Sequence, residues 1–145
     1  MTPSGRGTAL VIGAGPVGLS CALALHARGV AVTVLEAERE DGLRPGSRAI
    51  YLHGASLALL ERAHAGLGRG IAAHGLVWPA KRTFWRGREV FARTYPPAPT
   101  DRLPPFISLP QTVIERELAA ACATVGIDLV RGARAQALAV GSGAV

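Results

Sequence analysis

Thr8-Ala9-Leu10-Val11-Ile12-Gly13-Ala14-Gly15-Pro16-Val17-Gly18 carries an apolar run into a turn built on three glycines. A small, apolar helical pattern follows to about Arg28, with Leu19, Ala22, Leu23, Leu25 and Ala27 as its packing face and Gly29 as its stop. Val30-Ala31-Val32-Thr33-Val34-Leu35 then reads as a second strand and ends on Glu36. Strand, glycine turn, helix, strand and terminal acid in that order describe a βαβ unit with a dinucleotide site in its first turn. Gly13 suits the tight turn, Gly15 lets backbone approach a pyrophosphate, and Gly18 lets the helix lie close to the sheet. Ala14, Pro16 and Val17 complete the loop, whose N–H groups and positive helix end favour phosphate. Glu36 lies 18 residues beyond Gly18, near the roughly 20 expected of an acid that accepts hydrogen bonds from ribose hydroxyls. Its charge argues against a 2′-phosphate in the same pocket.

Working outward, Met1 to Gly7 is a polar lead, and residues 38 to 46 form a polar loop. Arg48 to Tyr51 re-enters the fold, and a helix follows over Gly54 to Ala63 with Leu57, Leu59 and Leu60 as its apolar residues. Three short strands are expected at Leu76-Val77-Trp78, Thr83-Phe84-Trp85 and Glu89 to Thr94, with a turn at Arg86-Gly87-Arg88. The prolines from Pro96 to Pro105 exclude helix. Phe106 to Leu109 is extended, Gln111 to Val125 is helical with Val113, Ile114, Leu118, Ala121 and Cys122 inward, and Ile127 to Val130 is a strand. The tail from Ala137 begins like a strand and stops.

Composition narrows the function. The chain is long enough for one domain with a core. It carries 16 Lys and Arg against 10 Asp and Glu, a net charge of +6, but the basic residues are scattered and accompany no aromatic platform. A solvated basic face is expected, not nucleic-acid binding. Cys21 and Cys122 lie far apart with no metal or redox spacing, so both are expected in the core of a protein in a reducing compartment, and no metal site is proposed. His53 is the histidine that could approach a cofactor, although a structural role fits it better. The apolar run after Arg6 imitates a targeting segment, but the dinucleotide loop accounts for its glycines. A cytoplasmic protein without membrane association is expected.

With Glu36, Arg48-Ala49 and Leu109-Pro110-Gln111-Thr112 in view, the chain resembles the N-terminal part of the FAD-dependent aromatic hydroxylases, the flavoprotein monooxygenases typified by para-hydroxybenzoate hydroxylase. Gly13 to Leu19 resembles that family's first motif, and Glu36 matches the acid that binds the FAD ribose. Arg48-Ala49 matches an Arg-Ala pair that runs along the FAD, and Gln111 matches a glutamine that contacts it. The strands between Leu76 and Thr94 match the place where the substrate-side sheet leaves the FAD domain. The resemblance implies an α/β fold: a Rossmann-like FAD-binding βαβ domain over residues 1–145, with a small β-hairpin insertion whose strands at 76–94 begin the substrate-side sheet. It implies FAD as cofactor, NAD(P)H as reductant, and O2-dependent hydroxylation of a small aromatic or polyketide-like substrate. A guanidinium at Arg48, suited to phosphate or flavin oxygens, and a hairpin that breaks the βα alternation favour FAD over NAD.

The family's later Asp-Gly and Gly-Asp segments do not occur here, so the chain is expected to be a truncated hydroxylase, incomplete as a catalyst alone. No catalytic residue is named. A complementing chain is one expected partner. Two other readings stand beside this one: a non-catalytic dinucleotide-binding module or remnant, and a fragment of an NAD-dependent oxidoreductase.

Overall fold

The computed structural model describes residues 8–39, 48–97 and 101–139. β1 (Thr8–Ile12), α1 (Pro16–His26) and β2 (Ala31–Glu36) form the βαβ unit, with β1 and β2 parallel and Thr8 opposite Ala31. β3 (Ala49–His53) leads directly into α2 (Gly54–Ala63), which is followed by α3 (Leu67–Ala73). β4 (Ala80–Trp85) and β5 (Arg88–Thr94) make an antiparallel hairpin. β6 (Phe106–Pro110) pairs antiparallel with β3 and runs into α4 (Gln111–Thr124), and β7 (Asp128–Arg131) returns to the far side of β2. The parallel sheet thus has the order β1-β2-β7, beside two antiparallel ribbons, β3-β6 and β4-β5.

The core follows from two periods. On β2, Val32 and Val34 are buried while Ala31 is exposed, the alternation of a half-covered strand. On α1 and α4, Leu19, Ala22, Leu23, Ile114, Leu118, Ala121 and Cys122 close over that sheet face. Leu10 and Ile12, on the other face, are 58% and 62% exposed.

Several local expectations change. Leu76 to Trp78 is not a strand: its apolar side chains look strand-like, but the backbone makes a single antiparallel bridge, Leu76 to Ser108. The first hairpin strand begins at Ala80, three residues early, and α1 stops at His26. Residues 1–7, 40–47, 98–100 and 140–145, including most of the polar loop and the end of the tail, lie outside the described residues, and 137–139 are not strand. α3 was not expected because Gly66, Gly68 and Gly70 depress its propensity. Tertiary contacts override that deficit. The Glu61 carboxylate accepts hydrogen bonds from the N–H groups of Gly66 (2.9 Å) and Arg69 (3.1 Å), capping α3 from α2. Those bonds, Gly66 first, hold the Glu61 carboxyl below its usual range.

Cys21 corrects another expectation. It is exposed, whereas Cys122 is fully buried. Burial pushes the Cys122 thiol up to about 11, so it stays protonated at neutral pH. A thiol-specific chromogenic reagent is expected to titrate one thiol in the folded protein and two after denaturation. Because the folded value lies above the ordinary thiol value of 9.0, Cys122 favours the fold fully below pH 9 and progressively less up to about 11. Two thiols reacting in the native state would contradict this arrangement.

Candidate functional site

The glycine loop sits where β1 ends and α1 begins. Gly13 has φ +101°, a conformation side-chain-bearing residues rarely adopt, and its N–H donates to the Leu35 carbonyl at 2.7 Å. Gly18 is needed for a different reason: a Cβ there would stand 1.9 Å from the Gly13 carbonyl oxygen. Gly15 needs neither explanation. Its φ is −75°, open to any residue, and a Cβ there would meet nothing within 4 Å. Bare backbone facing open space is what a phosphate requires. α1 starts with no side-chain cap and no acidic residue in its first turn, and Pro16 occupies that turn. Val17 is 84% exposed at the same end. The helix therefore presents its positive end unneutralised by any side-chain cap or acid of its own first turn.

Glu36 stands in phase with Val32 and Val34, so the alternation that buries those valines also turns its side chain toward the loop. It is 5% exposed, and its Oε2 accepts the Ala14 N–H at 2.7 Å while Oε1 accepts the Glu38 N–H at 3.0 Å. The acid thus fixes the glycine loop to the end of β2. A carboxylate offers about four lone-pair sites, so this structural role is compatible with binding a ribose hydroxyl as well.

Arg48 and Gln111 also meet. The Gln111 N–H donates to the Arg48 carbonyl at 2.9 Å, and Ala49 lies opposite Pro110 in the β3-β6 ribbon. The Arg48 side chain is exposed. The Gln111 amide donates to Glu115 Oε1 at 2.8 Å, one turn along α4. A groove of about 340 Å³ is lined by Pro16 and Val17 at the start of α1 and by Ile50 and Leu52 of β3. The loop and the acid are thus joined through Ala14, and the Arg48–Gln111 junction stands at the start of the β3-β6 ribbon. His53 lies at the far end of β3, in edge contact with Tyr51.

The donor set fits a flavin dinucleotide's adenylate half: N–H groups without a side-chain cap for the pyrophosphate and an acid for the ribose. Tyr51 is the residue the sequence reading passed over. Strand alternation gives its face, but of its ring partners only His53 is local, and Trp78 and Phe106 come from the segment before β4 and from β6. No group of three or more His, Cys, Asp or Glu that could hold a metal occurs among the described residues, and none of their helices is long and apolar enough to cross a membrane.

The sequence model of the FAD binding domain matches residues 6–145. Rifampicin monooxygenase of Rhodococcus hoagii is 33% identical over 132 residues, which cover 89% of this chain and 25% of that protein. Among solved structures, 2-methyl-3-hydroxypyridine-5-carboxylic acid oxygenase superposes with a TM-score of 0.71 at 23% identity, over 89% of this chain and 32% of that one. FqzB superposes with a TM-score of 0.78 at 20% identity, over 99% of this chain and 32% of that one. The chain therefore spans about a quarter of the curated relative and about a third of these solved structures. With the match running from residue 6 to residue 145 over this loop and fold, the chain belongs to the FAD binding domain family.

Proposed function

We propose that this chain is the FAD-binding portion of a flavin-dependent monooxygenase that uses NAD(P)H and O2 to hydroxylate a small aromatic or polyketide-like substrate. The observation that carries the reading is the coupling of Glu36 to the glycine loop, 2.7 Å from the Ala14 nitrogen, beside an uncapped helix end. In this reading the loop from Gly13 to Gly18 binds the pyrophosphate and Glu36 the ribose. Arg48 and Ala49 run along the cofactor, with Gln111 beside them. FAD supplies the redox chemistry when bound, and the protein's contribution is to orient it and exclude water. The ribbon β3-β6 and the hairpin β4-β5 interrupt the βα alternation expected of a plain NAD domain, which supports FAD over NAD. The hairpin, with the residues from 76 that lead into it, is the start of the substrate-side sheet, and catalysis requires further structure that a longer or complementing chain supplies. A cytoplasmic location fits this chemistry.

Titrating the purified chain with FAD tests the reading. Saturable quenching of flavin fluorescence and a rise in melting temperature are expected, with NAD giving neither. Tight NAD binding without flavin affinity would transfer the chain to the nicotinamide-dependent oxidoreductases.

A further inference from the structure

β3 has two faces. Ile50 and Leu52 pack toward the core with Ile107 and Leu109 of β6, while Tyr51 and His53 share the opposite face with Phe106 and Ser108. By alternation Phe106 belongs to the outer face, yet it is only 2% exposed. Three rings enclose it. Tyr51 stacks on it at 5.2 Å and 19°, Trp78 leans on it at 4.9 Å, and Tyr95 meets it edge-on at 4.7 Å. Tyr51 is further held by His53, edge-on at 4.7 Å, and by Trp78 at 5.6 Å.

The result is a tyrosine ring fixed by three neighbours while 43% of the residue remains exposed. An immobilised, exposed aromatic ring loses little conformational freedom when a second ring stacks on it, unlike an ordinary surface side chain. Its position is also specific. Tyr51 lies two residues along β3 from Ala49, about 7 Å away. The carbonyl of the adjoining Arg48 is tied to Gln111. We propose that Tyr51 is a ring-stacking residue that receives a planar aromatic group, either the isoalloxazine of the flavin or the ring of the aromatic substrate. The proposal rests on the FAD-binding reading above, in which a ring-bearing cofactor runs along the start of β3 at Arg48 and Ala49.

The test separates the two ring sources from each other and from the adenylate site. FMN carries the isoalloxazine without an adenylate, 4-hydroxybenzoate carries a phenolic ring alone, and ADP carries the adenylate without such a ring. In a Trp85→Phe background, Trp78 is the sole tryptophan and reports ring binding next to Tyr51. Saturable quenching of Trp78 by FMN assigns the site to the flavin, and quenching by 4-hydroxybenzoate assigns it to the substrate. In either case Tyr51→Leu is expected to weaken that probe about tenfold, with Tyr51→Phe retaining it and ADP binding unchanged. The proposal is overturned if neither ring probe perturbs Trp78 or if Tyr51→Leu binds both as the parent does. The parent titrations decide the first point even if the leucine variant fails to fold. Failure of ADP to stabilise the protein would instead count against the dinucleotide reading, whatever the ring probes do.

Discussion

Gly18→Ala is expected to damage the fold and the cofactor site together, whereas Gly15→Ala damages only the site. At Gly18 the added carbon would stand 1.9 Å from the Gly13 carbonyl oxygen and 3.1 Å from its carbon, so relief requires moving backbone, not a flexible side chain. Overpacking of this kind costs about 3 kcal/mol or more, a large share of the roughly 5–15 kcal/mol that holds a typical domain together. The melting temperature should fall by about 10 °C or more, and FAD affinity by at least about tenfold, because the helix end leaves its place. At Gly15 neither strain nor contact opposes a methyl group: φ is −75° and nothing lies within 4 Å. Gly15→Ala should therefore melt within about 1 kcal/mol of the parent while its FAD affinity falls, since the methyl projects where a phosphate must approach. Thermal melts paired with FAD titrations measure both. If Gly15→Ala binds FAD like the parent, the pyrophosphate does not pass that backbone.

How far such a site can be read in advance depends on whether its determinants are local. The glycine loop and the acid lie within one βαβ unit, so turn chemistry and strand period suffice, and the period of two even assigns Glu36 to the side of Val32 and Val34. α1 itself is less legible. Its sequence PVGLSCALALH is apolar nearly all round, so the expected packing face is right at Leu19, Ala22 and Leu23 but wrong at Ala27, which is exposed, as is Cys21 beside buried Ala22. α3 reads as a glycine-rich linker because its cap, Glu61, is supplied by α2. The pairing of β7 with β2 joins Asp128 to Thr33 across most of the chain, and no local pattern records it. The same holds for Tyr51: alternation gives its face, but the ring it stacks on comes from β6, more than fifty residues later. What stays hidden is therefore what long-range register assembles, the ring cluster around Tyr51 included.

Glu36 carries the second large effect, because one carboxylate serves the loop and, in the proposed function, the ribose. Glu36→Ala leaves the Ala14 N–H, in a region where both residues are 5% exposed, without its 2.7 Å partner. An orphaned buried donor costs about 1–3 kcal/mol, so the melt should shift downward by several degrees. FAD affinity should fall further, by about tenfold to a hundredfold, since hydrogen bonds to a charged group contribute about 1.5–3 kcal/mol. Glu36→Gln separates the contributions. Its amide oxygen still accepts from Ala14, but its NH2 group then faces the Glu38 N–H, a second donor, so stability falls between the parent and the alanine variant. Comparing ADP with its 2′- and 3′-deoxy analogues isolates the ribose contact. The parent should lose about tenfold when the hydroxyl that meets Glu36 is removed, and Glu36→Ala should lose nothing more on the same change. A variant that melts early yet discriminates the analogues as the parent does would make Glu36 a clasp of the loop alone and leave the ribose to another group.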